Sequence, residues 1–367
     1  MLIRACALWA QSAEEDHRWV EGLFQVRDGR IYRVEETGAE VPTHRGWMIP
    51  GLVDVHCHIG YSQSGPVDEA GMRAQAQANF RAAVTAVRDC GSPVDNRAVA
   101  ADSPIQILRA GRHIARPKRY IRSLAVEVEE TELVDEVIRQ AHQGSGWVKL
   151  VGDWIDRRDG SQSDLRPLWS APALVDAVSA AHELGAKVAV HTFAHDTIDA
   201  LLEAGVDSIE HGSGMDRDQV AQAAALGIAI TPTLMQVGLF PEFATAAGSK
   251  YPVYAATMTN LSAGHEDVWE SFVESGVQLL PGTDAGGYQK HGSLSAELAL
   301  WEKAGLPARE ILDAATWKAR HFLGLAGLYE GAVADFALYD RDPRADLSAL
   351  KAPALVVAGN HTSASGK

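Results

Sequence analysis

The chain has 367 residues and carries 33 Lys and Arg against 48 Asp and Glu, a formal charge of −15. That balance disfavours nucleic acid as a partner, because such binders present a basic stripe. Apolar residues at 46% and charged residues at 22% are ordinary globular composition, which excludes a disordered chain and a fibrous repeat.

Three cysteines, Cys6, Cys57 and Cys90, are too few for a disulfide framework and predict a reducing, cytoplasmic setting. The N-terminal stretch MLIRACALWAQSAEED lacks an apolar core of signal-peptide length and reads as a first strand. No apolar run reaches the ~18–20 residues of a membrane span, so a soluble protein without a membrane partner is expected.

Residues 1–45 alternate short β-like runs with turns, and Asp28-Gly29 sits between two strand-like stretches in hairpin fashion. From about residue 48 the rhythm changes to eight apolar runs: MIPGLVDVH, AVTAVRDCG, IQILRAG, GWVKLVGD, AKVAVHTF, DSIEHG, IAITPTL and VQLLPGTDAG. Helical spacing fills the gaps, as in ELVDEVIRQAHQ, PALVDAVSAAHELGA, TIDALLEAG and DRDQVAQAAALG. Strand and helix alternating eight times predict an α/β fold, a (β/α)8 TIM barrel. Beyond it lie SLSAELALWEKAG and PAREILDAATWKARHFLG as helices, then VADFALYD and PALVVAG as strands that return to the N-terminal sheet. The expected domains are a small β-sandwich from 1–47 plus 328–362 and a barrel from 48–327. The final SASGK has the composition of a disordered tail.

Barrel enzymes place their chemistry at the C-terminal ends of the strands. Here the first run ends in His56-Cys57-His58, the fourth carries Lys149, the fifth ends in His191, the sixth in His211 and the eighth in Asp284. Residues i and i+2 of a strand share a face about 6.5–7 Å apart, so His56 and His58 can grip one ion while Cys57 faces away. Singly, each has an ordinary structural explanation: a hydrogen-bonded histidine, a turn aspartate, a lysine snorkelling to solvent. Six donors at five strand ends outweigh those explanations together. His113, His142, His182, His265 and His321 lack this registration and read as structural residues in loops or helices.

PGLVDVHCH, VKL, VAVHTFAH, SIEHGSG and GTDAG, in this order and spacing, resemble the amidohydrolase superfamily, and the tail GLYEGAVADFALYDRDP resembles its return to the small domain. The chain is most similar to the branch of imidazolonepropionase and Xaa-Pro dipeptidase (prolidase), in which a lysine on the fourth strand takes up CO2 and bridges two divalent metals. The resemblance implies His56, His58 and Asp284 on the buried metal, His191 and His211 on the more exposed one, and a carbamate on Lys149 between them. It implies hydrolysis of an amide-type C–N bond of a small molecule, an N-acyl amino acid, dipeptide or cyclic amide, by a metal-activated hydroxide, with Asp284 as the catalytic proton shuttle. Zinc suits such a His and carboxylate set.

Where that branch has Gly-Gly-His after strand three and a tyrosine after the strand-six histidine, this chain has RHIARPKRYI and HGSGM. A basic loop of Arg112, His113, Arg116, Lys118, Arg119 and Tyr120 is a candidate replacement for recognising a substrate carboxylate. Trp154, Tyr288 and His291 follow strands four and eight, where loops line the pocket, and are further substrate candidates. A lactonase or other ester hydrolase, a mononuclear deaminase and a non-catalytic scaffold are the competing readings. A homo-oligomer is the base-rate expectation for assembly.

Overall fold

A computed structural model describes residues 1–38 and 41–364. Its N-terminal strands Leu2–Trp9, Arg18–Arg27, Arg30–Val34 and His44–Pro50 join Asp335–Tyr339, Leu355–Ala358 and His361–Ala364 in one seven-stranded sheet. The predicted hairpin is present, with Asp28 and Gly29 both at positive φ, as a tight two-residue connection demands. The predicted return of the tail is also present, since Asp335–Tyr339 pairs antiparallel with His44–Pro50. Ile3, Phe24, Ile31, Met48, Phe336 and Leu338 fill the core of this small domain. Of SASGK, Ser363 and Ala364 end a strand, and Ser365, Gly366 and Lys367 lie outside the described residues.

The run MIPGLVDVH, expected as one strand, is divided between the two domains at Gly51. His44–Pro50 belongs to the small sheet and Leu52–Cys57 is the first barrel strand. A side chain at Gly51 would collide with Thr85 and Asp335, so only glycine lets the chain pass from one sheet to the other here. Arg320 pins the crossing: it donates to the Gly51 carbonyl at 2.9 Å and lies 2.8 Å from the Asp335 carboxylate.

Barrel strands two, four, five, six and seven are Val84–Asp89, Trp147–Val151, Lys187–Thr192, Ser208–His211 and Ala229–Thr231, and every pairing between barrel strands is parallel. Two expectations need correction. The third strand is longer than IQILRAG and is broken: Gln106–Arg109 pairs with strand two, and after Gly111 the chain resumes as His113–Ala115 beside strand four. His113 is therefore on a barrel strand, not in a loop. The eighth run is no regular strand. It closes the barrel through isolated bridges, Ile230 to Leu279 and Cys57 to Ala285, because Pro281 and Gly282 interrupt a ladder there.

The predicted helices form as Leu133–Gln143, Ala171–Glu183, His195–Ala204 and Arg217–Leu226, the last opened by a capping box between Asp216 and Gln219. Between strand seven and the eighth segment, four helices, Leu234–Val237, Phe240–Ala247, Pro252–Ala263 and His265–Ser275, form an insertion that the sequence reading had not singled out. No helix among the described residues is long and apolar enough to cross a membrane.

Candidate metal centre

The first barrel strand and the eighth segment are stitched together at their ends. Asp284 N–H donates to the His56 carbonyl at 2.8 Å, and His58 N–H donates to the Ala285 carbonyl at 2.7 Å. Asp284 sits at φ 55 and His211 at φ 69, a left-handed conformation uncommon outside glycine and typical of functional sites. The outcome is convergence: Asp284 Oδ1 lies 3.0 Å from His58 Nε2 and 3.3 Å from His56 Nε2. One ligand atom from each of the three lies within 4.8 Å of the others, the spacing of a set able to hold one ion.

Two of the four strand-end histidines are hydrogen-bonded at Nδ1, and a third has a carboxylate at ion-pair distance there. His58 Nδ1 lies 3.0 Å from the Gly91 carbonyl, His211 Nδ1 lies 2.6 Å from Thr233 Oγ1, and His56 Nδ1 lies 2.7 Å from Glu210 Oε2. Anchoring one ring nitrogen selects the tautomer and leaves Nε2 free as a metal ligand. His191 is held by packing, its ring 4.5 Å from Phe193 and 4.7 Å from His211, and its buried Nε2 has no hydrogen-bond partner among the described residues.

Burial, with neighbouring cations, drives the His191 pKa well below its usual range and brings His211 down to about 3. Both rings are neutral at physiological pH, the state a metal requires of imidazole. Burial alone would raise the Asp284 carboxyl, but His56 and His58 outweigh it and hold the group well below its ordinary range. Lys149 is fully buried beside His113 and Ala189 in the strand register, and Nζ finds no hydrogen-bond partner among the described residues. That excludes a snorkelling lysine. Burial depresses its pKa, which favours the free amine. An orphaned Lys149 amine, an orphaned His191 Nε2 and three converging donors together fit a binuclear site.

A cavity of about 700 Å3 opens above these groups, with His58, His191 and Asp284 among its lining. Of the substrate candidates, Tyr120, Trp154 and Tyr288 line it. His113 sits just behind, its fully buried ring 5.0 Å from His58 and 5.2 Å from Tyr120, with neither nitrogen hydrogen-bonded among the described residues. His291 does not line the cavity; its ring is packed away against Asn79, 3.3 Å from the side-chain amide.

The basic loop is mostly committed elsewhere. Arg112 donates to the Ser123 and Ala125 carbonyls, Arg116 pairs with Glu129, and Arg119 pairs with Asp156. Lys118 remains on the cavity, joined by Arg122 and Arg157, and none of these three makes an ion pair among the described residues. The sequence reading missed both arginines and the aromatic wall of Tyr61, Phe193, Phe243 and Tyr254. Phe243 and Tyr254 come from the insertion after strand seven, whose four helices follow the strand-end signal TPT at Thr231 to Thr233.

The model of the amidohydrolase family matches residues 47–360. An uncharacterized protein of Mycobacterium tuberculosis is 44% identical over 339 residues, covering 92% of this chain and 90% of that one, and one of Mycobacterium bovis is similar to the same extent. Among solved structures, a Xaa-Pro dipeptidase with methionine bound in its active site has a TM-score of 0.80 at 22% identity, over 99% of both chains. The ochratoxinase of A. niger has a TM-score of 0.77 at 20% identity, over 98% of this chain and 94% of its own. At such identities the two structures establish the shared fold, a (β/α)8 barrel with an extra β domain.

Proposed function

The chain belongs to the amidohydrolase family and is a hydrolase acting on carbon–nitrogen bonds, and from that premise we propose that it cleaves the amide of a small N-acyl amino acid or dipeptide at a binuclear zinc site. The supporting observation is the single floor formed by His56, His58 and Asp284 with His191, His211 and the partnerless amine of Lys149. His56, His58 and Asp284 would hold one ion, His191 and His211 the other. Lys149, whose burial favours the free amine, would take up CO2 with loss of a proton and, as a carbamate, bridge them, which an ammonium cannot do because its nitrogen has no free lone pair. Bound divalent ions would supply an activated water and polarise the scissile carbonyl.

The protein's own residues supply the rest. Asp284, ionised, with Oδ1 3.0 Å from His58 Nε2 and 3.3 Å from His56 Nε2, is placed to take a proton at Oδ and return it to the leaving nitrogen. His113 lies with two free ring nitrogens beside His58, in reach of a substrate bound against Tyr120. The aromatic walls, Tyr120, Trp154, Phe193, Phe243 and Tyr254, favour an apolar or aromatic acyl group. Lys118, Arg122 and Arg157 gather unpaired positive charge on a protein of net charge −15, which suits a substrate carboxylate.

The test couples metal content to a substrate screen. About two zinc ions per chain and turnover of N-acyl amino acids or dipeptides are expected. One ion per chain would replace the bridged site by a mononuclear one, and turnover of lactones alone would replace the amidase by an ester hydrolase.

A further inference from the structure

Below the candidate ligands lies a buried ionic cluster that the reaction does not use. Glu210, on strand six next to His211, is fully buried, and so is Arg88 on strand two. Arg88 Nη2 lies 2.5 Å from Glu210 Oε1, and the Ser208 hydroxyl donates to the same oxygen at 2.5 Å. Arg88 is itself immobilised: Nε donates to the Val55 carbonyl at 2.6 Å and its guanidinium lies over the Trp147 ring, 4.4 Å from the centroid. Glu210 Oε2 faces His56 Nδ1 at 2.7 Å.

Two readings of this cluster compete. His56, Cys90 and Glu210 have ligand atoms close enough to hold a cation of their own. A guanidinium already occupies one oxygen of that carboxylate, and Cys90 Sγ points to the Val55 carbonyl at 3.5 Å as a thiol. A second cation there would face Arg88 in a dry interior, where like charges repel most strongly. Burial also drives the Cys90 pKa up to about 12, against the thiolate a metal requires. The cluster is an outer support, not a third metal position.

We propose that Glu210, held by Arg88 and Ser208, is a positioning residue that orients His56, so that its Nε2 meets the ion shared with His58 and Asp284. A buried Arg and Glu pair is weak evidence for stability, since desolvation offsets most of its attraction. Its positional effect is separate from that balance: Oε2 of a carboxylate held by Arg88 and Ser208 stands 2.7 Å from His56 Nδ1, and a fixed negative charge there favours the tautomer with its proton on Nδ1 and Nε2 free. At Nδ1, the nitrogen turned away from the candidate ion, His56 alone of the four strand-end histidines faces a charged group among the described residues; His58 meets a carbonyl, His211 a hydroxyl, and His191 is held by packing. This inference rests on the metal reading above.

The experiment measures zinc affinity by competition with a chelator and zinc stoichiometry by mass spectrometry, in wild type, Glu210→Gln, His56→Ala and the double variant. Melting of each metal-free protein checks the fold. Glu210→Gln is expected to weaken the tighter zinc by about 10–100-fold, the range typical of outer-sphere partners of ligating histidines. In the His56→Ala background the same substitution is expected to shift affinity less than about twofold, since an effect transmitted through His56 disappears with it. An equal loss in both backgrounds indicates a general structural role and overturns the proposal, as does unchanged affinity in the folded Glu210→Gln protein. Should Glu210→Gln not fold, Ser208→Ala loosens the same carboxylate; unchanged zinc affinity there, or a loss that persists without His56, overturns the proposal equally. Wild-type protein that takes up no zinc overturns the metal reading, whereas wild type that binds zinc as well as Glu210→Gln does removes only the role of Glu210.

Discussion

The two roles proposed for Asp284 can be separated by a substitution. As a ligand it would contribute one oxygen, and as a base it would hold a proton in transit. Asp284→Asn keeps an oxygen at the position 3.0 Å from His58 Nε2 and removes only the basicity, so it is expected to retain most metal and lose about 10^2–10^4-fold in kcat. Near-wild-type turnover would remove Asp284 from proton transfer. Lys149 gives a second test at this scale. Lys149→Ala leaves two ions without a shared anion, so one of them is expected to leave, and a short carboxylate such as acetate is expected to restore part of the activity by entering the vacated space. Two zinc ions per chain at full activity in that variant would return Lys149 to a structural role.

At the scale of elements, the insertion after strand seven is rooted in Glu297, on the helix Leu294–Lys303. Its buried carboxylate accepts from Leu234 N–H at 2.7 Å, Met235 N–H at 2.8 Å and Trp301 Nε1 at 2.9 Å. Burial pushes its pKa up to about 7, against the pull of those three hydrogen bonds. The folded value is above the unfolded one of about 4.5, so the folded state binds the proton more tightly. This contribution to stability is present in full below about pH 4.5 and is lost as pH rises through 7, by of order 3 kcal/mol. Urea unfolding of the metal-free protein is expected to show stability falling between pH 5 and 8, and Glu297→Gln is expected to flatten that slope. A variant whose stability follows the wild-type pH dependence would show that the slope arises elsewhere.

For the whole molecule, the candidate ligands sit at the rim of a barrel whose interior is held by apolar packing of residues such as Val53, Val55, Ala86, Ala189 and Leu280. Metal is thus expected to stabilise the fold without being required for it. Chelation should lower the melting temperature by about 5–10 °C, the effect of a ligand present at roughly a thousandfold its dissociation constant, while far-UV circular dichroism stays unchanged. Loss of secondary structure on chelation would make the metal part of the folding nucleus.

The alternation of apolar runs and helical spacing was enough to read the barrel, because burial on both faces leaves a period in the chain. The candidate donors were legible because they sit at strand ends, and the strand ends of a barrel are where its site is built. The hairpin at Asp28-Gly29 and the capping box at Asp216 are local codes, readable without the rest of the molecule. What tertiary structure decided are the contacts between residues far apart in sequence. His113 belongs to a strand only because the chain resumes pairing beside Lys149 after Gly111. Most arginines of the basic loop are spent on partners that folding brings to them, while Arg122 and Arg157 are left on the cavity. Glu210 meets Arg88 across 122 residues and His56 across a longer stretch still, and neither spacing carries any period. Local geometry repeats and can be read along the chain, whereas the supports behind a site depend on which strand closes against which.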